Sequence, residues 1–191
     1  MAYADEEILV KREQAKVETY TTLEKGIYMD GEIIHFKRKE LFDVFSVMLP
    51  ELWKQMPKEY ARIKYPSEFR PQIIITTLDL SVNLGFTVFP TAVQSDNPDK
   101  MAERVRAAIY RSNPNFLMYP CEKLEEVSGC WFGFRSHAMD SDLYNMILLT
   151  IAGKRLVQAS FNCPYKDYIK WKKVTLKIWN SIVELKAGVC R

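Results

Sequence analysis

The sequence predicts an α+β domain, an antiparallel sheet of about six to seven strands packed by helices, and three stretches carry that prediction. Residues 143–151 are almost continuously apolar, as a strand buried on both faces is, and Ala152-Gly153-Lys154 turns them into a second strand, 155–163. Pro164 stops that strand, and from Tyr165 the apolar spacing becomes helical. Tyr168, Trp171, Thr175, Ile178, Ile182 and Leu185 fall on one face, with Lys166, Lys170, Lys173 and Lys177 on the other. Nearer the start, Asp30-Gly31 between two apolar runs marks a two-residue hairpin.

Taken in order, residues 1–25 form an N-terminal arm and residues 26–191 a single α/β sandwich domain. Within the arm, 5–18 hold helix formers and 17–23 hold Thr and Tyr, so helix and extended chain both stay open; the arm either docks or orders on a partner. The hairpin around Asp30-Gly31 is followed by a charged connection, Lys37 to Glu40, and a short strand, Phe45 to Leu49, ended by Pro50. Pro57 opens a short helix in which Tyr60 and Ile63 are three apart, and the helix stops before Tyr65-Pro66. Strands at 72–78 and 82–89 make a second hairpin. Asn97-Pro98-Asp99 is a helix start with a cap, a proline in the first turn and an acid beside it. Met101, Val105, Ala108 and Ile109 form the core face of that helix. Strands at 117–127 and 130–139 pair around Ser128-Gly129, and Asp140-Ser141-Asp142 turns the chain into the hairpin at 143–163. The result is a four-strand meander closed by the final helix.

Composition bounds the function. The chain has 191 residues, 48% hydrophobic and 27% charged, with a net charge of +3. This is ordinary globular composition, and the charge is too small for a phosphate-backbone partner, so no nucleic acid is expected. Asp5, Glu6 and Glu7 stand where a signal peptide carries a basic start. No apolar run is long enough for membrane insertion, and the expected location is cytoplasmic. Cys121, Cys130, Cys163 and Cys190 lack metal spacing and read as reduced, mostly buried thiols.

Catalytic signatures are missing from the pattern. The seven glycines fit no phosphate-cradling loop, and no serine sits in a nucleophile elbow. Neither a cofactor nor a metal is expected. Asp140 and Asp142 resemble paired carboxylates, although a turn selects the same residues. Strand alternation offers one candidate site. Trp131, Arg135 and His137 point away from Cys130, Phe132 and Phe134, and Gln158, Ser160 and Asn162 point away from Val157, Ala159 and Phe161. If the apolar sides share one core, those six residues line a single polar face, with Trp131 and Arg135 as its exposed anchors.

Phe45-Ser46-Val47-Met48-Leu49-Pro50-Glu51-Leu52-Trp53, the middle hairpin, the proline-initiated helix, the Ser136 to Asn145 turn region and the Trp171 to Leu185 helix together resemble the PsbP-like and DcrB-related superfamily. The likeness covers roughly residues 45–185 and leaves 1–40 outside. It implies an α/β/α sandwich around an antiparallel sheet. Its members are mainly binding or assembly proteins, including photosystem extrinsic subunits, lipoproteins and a Ran-binding factor, so no catalytic residue is carried over. Unlike the exported members, this sequence shows no signal or lipobox, which argues against an envelope role. The expected function is that of a non-catalytic cytoplasmic binding or assembly module, acting on a protein partner through the polar sheet face or the arm, with homo-oligomerisation left open. The alternative is a small-molecule hydrolase or transferase with its site around Arg135 and His137.

Overall fold

Turns with residues in the left-handed region shape the sheets of the computed structural model, which describes residues 4–92, 97–138 and 141–185. Helix α1 (Ala4–Thr19) leads into a small antiparallel sheet of β1 (Thr21–Thr22), β2 (Gly26–Met29) and β3 (Glu32–Ile34). Asp30 and Gly31, at φ 54° and 88°, supply the two positive dihedrals that a tight hairpin needs. β4 (Phe36–Leu41) and β5 (Phe45–Pro50) form the next hairpin. The charged connection expected at Lys37 to Glu40 is therefore a strand. Phe36 and Leu41 turn inward and Lys37, Arg38 and Glu40 turn to solvent, which is how charge protects an edge from unwanted pairing.

The main sheet is built from β6 (Lys54–Gln55), β7 (Ile73–Thr76), β8 (Asn83–Ala92), β9 (Leu117–Met118), β10 (Glu122–Leu124), β11 (Gly129–His137), β12 (Asp142–Ala152) and β13 (Arg155–Pro164). Its order is β10-β11-β12-β13-β8-β7-β6, with β9 also on β11, and every pair is antiparallel. Eight strands replace the expected six to seven because the single strand read at 117–127 divides at Tyr119-Pro120, where proline withholds a ladder hydrogen bond, and because Lys54–Gln55 adds a two-residue edge. Gly153 and Lys154, at φ 56° and 59°, turn β12 into β13, as Phe42 and Asp43, at 58° and 53°, turn β4 into β5. Asp140 and Cys190 lie outside the described residues.

Helix α2 (Lys58–Lys64) begins after Pro57 as expected, but none of its residues is buried, so the Tyr60 and Ile63 spacing marks a helix without a covered face. Helix α3 (Pro98–Ser112) is capped by Asn97, whose side chain accepts from the Asp99 N–H at 2.8 Å. Met101, Ala102, Val105 and Ile109 pack on the sheet, while Ala108 is exposed.

Helix α4 (Tyr168–Asn180) buries Trp171, Val174, Thr175, Ile178 and Trp179. It is shorter than the periodicity suggests. Ser181 Oγ donates to the Ile178 carbonyl at 2.6 Å and accepts from the Met48 N–H at 2.8 Å, closing the helix against β5. Ile182 and Leu185 thus belong to an extended tail whose β14 (Val183–Glu184) pairs with β5. On the opposite side of α4, Lys173 and Lys177 are exposed, as is Lys166 in the 3-10 turn Tyr165–Asp167 that precedes it, while Lys170 is paired with Asp30 and, at 3.0 Å, with Asp167.

Each face of the main sheet has its own core. The inner face carries Phe86, Trp131, Met146, Leu148, Val157 and Phe161 against α4 and the β4–β5 hairpin. The outer face carries Cys130, Phe132, Phe134, Ile147 and Leu149 against α3.

Candidate functional site

The strand register divides the six residues that alternation had grouped. Trp131, Arg135 and His137 stand opposite Leu148, Tyr144 and Asp142, and Leu148 and Tyr144 stand opposite Ala159 and Cys163. Directly opposed residues share a face, so these three lie on the inner side with Val157, Ala159 and Phe161. Gln158, Ser160 and Asn162 oppose Leu149, Ile147 and Asn145, which in turn oppose Cys130, Phe132 and Phe134, and so lie on the outer side. The single polar face is thereby corrected. Its premise, one apolar core, fails because the sheet is covered on both sides. Trp131 is 3% exposed in the inner core, with the Lys172 ammonium 4.8 Å from its ring, and is no surface anchor.

On the outer side, Gln158, Ser160 and Asn162 form the floor of a cleft of about 660 Å³. Its origin is geometric. α3 packs on β11 and β12; a helix about 10 Å wide spans only about two strands spaced at about 4.8 Å. The outer face of β13, β8 and β7 is left to the 65–71 loop, and the cleft opens between loop and helix.

A buried hydrogen-bonded row runs beside the floor and reaches it at Asn162. Thr76 Oγ1 donates to Asn83 Oδ1 at 2.8 Å, Asn83 Nδ2 to Asn162 Oδ1 at 2.8 Å, and Asn162 Nδ2 to the Tyr65 hydroxyl at 2.7 Å. Burial raises the Tyr65 pKa, against the smaller lowering by the Asn162 hydrogen bond that its hydroxyl accepts. Asn145 spends its amide on Ser136 Oγ at 2.9 Å. The walls are apolar: Phe134 stacks on Phe116 with centroids 5.7 Å apart, beside Ile109, Pro66 and Pro71. Gly85, opposite Ser160, keeps this corner tight, because a Cβ there would meet Pro71 Cγ at 2.6 Å. Lys64 and Arg70 stand on the rim, and burial lowers the Lys64 pKa. The sequence pattern does not group Tyr65, Asn83 and Asn145 with the candidate site residues. Asparagine is depleted in strands, so three of them within or beginning predicted strands were the available signal.

Arg135 and His137 meet at a second place. Arg135 Nε donates to Asp142 Oδ2 at 2.7 Å, and His137 Nδ1 lies 2.7 Å from Asp142 Oδ1. The Arg135 guanidinium rests 4.3 Å from the Tyr165 ring centroid. Arg135 first, and then His137, hold the Asp142 carboxyl below its usual range. This cluster is a clamp across the β11–β12 end, with the imidazole 60% exposed at the side chain. Among the described residues no group of three or more His, Cys, Asp or Glu is placed to hold a metal ion, and no helix is long and apolar enough to cross a membrane.

Helix, antiparallel sheet, and helix with hairpin, stacked in that order, define a PsbP-like fold. Among solved structures, that of cyanobacterial PsbP (CyanoP) from Synechocystis sp. PCC 6803 superposes with a TM-score of 0.57 at 11% identity, over 84% of this chain and 98% of that one. The protein Mog1 gives 0.54 at 8% identity, over 82% and 99%. LpqN, involved in cell envelope biogenesis of Mycobacterium tuberculosis, gives 0.53 at 11% identity, over 87% and 99%. No protein-family model and no curated protein matches the sequence. At these identities the likeness shows the fold alone.

Proposed function

We propose that the chain is a non-catalytic binding or assembly module that recognises a protein partner through the outer-face cleft. The makeup of that cleft carries the reading. Amides and hydroxyls on the floor and apolar walls suit recognition, and the lining side chains include no carboxylate, imidazole or thiol for acid–base or nucleophilic work. The PsbP-like fold is consistent with this. A cytoplasmic setting is part of the proposal. The test is Gln158→Trp, which puts an indole into the cleft at a side chain with no hydrogen-bond partner among the described residues. The variant should fail to capture the partner that the wild type recovers from native extract, while melting within a few degrees of it. Equal capture by both proteins would remove the cleft from the reading.

The alternative, a hydrolase or transferase around Arg135 and His137, has one observation in its favour: Asp142 orients a solvent-facing imidazole. Turnover of generic esters or phosphate monoesters that His137→Ala abolishes would establish it. A panel without turnover would discard it.

A further inference from the structure

We infer that the lip of the cleft, α2 with the 65–70 loop, docks a segment of the partner protein that is both acidic and apolar; this rests on reading the chain as a binding module and names the chemistry of what it binds. Seven residues are too few for a helix that is stable on its own in water, and helices within proteins are normally held by a buried face. α2 has no buried residue. Tyr60 and Ile63 on the helix are 54% and 79% exposed, and Phe69 on the loop is 95% exposed. Three large apolar side chains within ten positions thus face solvent beside the cleft, where a partner would cover them.

Charge says what kind of partner. The stretch carries Lys58, Arg62, Lys64 and Arg70 against Glu59 and Glu68; Lys64 donates to the Leu80 carbonyl beside Asp79 and Arg70 to the Tyr65 and Ser67 carbonyls, so Lys58 and Arg62 are the two left to a partner. None of the four cations takes part in an ion pair among the described residues. A second cavity of about 400 Å³, with Met56, Lys58, Ala61, Arg62, Glu68 and Ile74 in its lining, also borders α2 and shares Arg70 and Pro71 with the cleft. A polypeptide lying over the lip can place side chains in both recesses and carboxylates against the cations. An anionic membrane offers the same charge, but its acyl chains cannot use the amides and hydroxyls of Gln158, Ser160 and Asn162.

The probe is a display library of random peptides, selected on the immobilised full chain, with the winning peptide then synthesised and its binding followed by fluorescence anisotropy. Enrichment of acidic residues interspersed with aromatic or aliphatic ones is expected, with affinity that falls as salt rises. Both Ile63→Asp with Phe69→Ala and Lys58→Glu with Arg62→Glu should weaken the peptide by about tenfold or more, the scale of interface anchors. All four side chains are exposed, so both variants should melt like the wild type. Lys173→Gln, on the exposed side of α4, should bind normally. Enrichment of basic or uncharged peptides, unchanged affinity in the two lip variants, or binding to phosphatidylglycerol vesicles with no peptide selected would each overturn the inference. Loss of the native partner in Gln158→Trp but not in the lip variants would overturn it too, while leaving the cleft reading intact. Peptide lost from the lip variants but kept by Gln158→Trp would support the lip and count against the cleft.

Discussion

Truncating Trp131 to alanine removes an almost fully covered indole from the inner core, and it should cost about 3 to 5 kcal/mol, the usual range for such changes. Urea unfolding reads it, and an unshifted midpoint would place the ring outside the core. Asp142 makes a different prediction. Hydrogen bonds from Arg135 and His137 depress its folded pKa below the ordinary 3.8. Its stabilising contribution is therefore complete above that ordinary value and disappears as pH falls through the folded one. The gap in melting temperature between wild type and Asp142→Asn should stay constant at mild pH and close in strong acid; a gap that widened on acidification would contradict the clamp. At this scale, the sequence announces turn residues and charge, since Asp30-Gly31 and Asn97-Pro98 depend only on near neighbours. It does not announce that Asp142, readable as a mere turn residue, is the partner of Arg135 and His137, because that contact depends on which residues β11 and β12 set opposite each other.

Helices and hairpins depend on periodicity, and α4 shows where periodicity stops being informative. The 3.6-residue pattern continues through Ile182 and Leu185, yet Ser181 ends the helix because the Met48 N–H is there to be satisfied. Only the fold brings Met48 to that point. The lysine side of α4 likewise reads as uniform although it is not. Lys173→Gln should change stability by less than about 0.5 kcal/mol, as exposed substitutions do. Lys170→Gln breaks the link between α4 and the Asp30 turn and should cost up to about 1 kcal/mol, the upper end for exposed pairs, with the difference reduced by salt. Identical denaturation curves for the two variants would show that the Lys170 pairs contribute nothing.

For the whole molecule, the difficulty is a sheet with two covered faces. Period-two alternation sorts residues within a strand, but when both sides are apolar it cannot say which side of one strand matches which side of the next. That is why Gln158, Ser160 and Asn162 are legible as a group, as are Trp131, Arg135 and His137, while their union is not. Covering both faces also explains why residues far apart in the chain meet: the Met48 N–H and Ser181 Oγ are 133 positions apart, and β14 completes the sheet that contains β4 and β5. During synthesis, β4 and β5 leave the ribosome long before β14 and α4 exist. Until those last residues arrive, Phe45, Val47 and Leu49, all with 0% exposure in the finished protein, have no α4 to cover them. A nascent chain arrested before Tyr168 should consequently remain bound to a chaperone and open to protease, and release of the full-length chain should mark the moment at which both protections appear together.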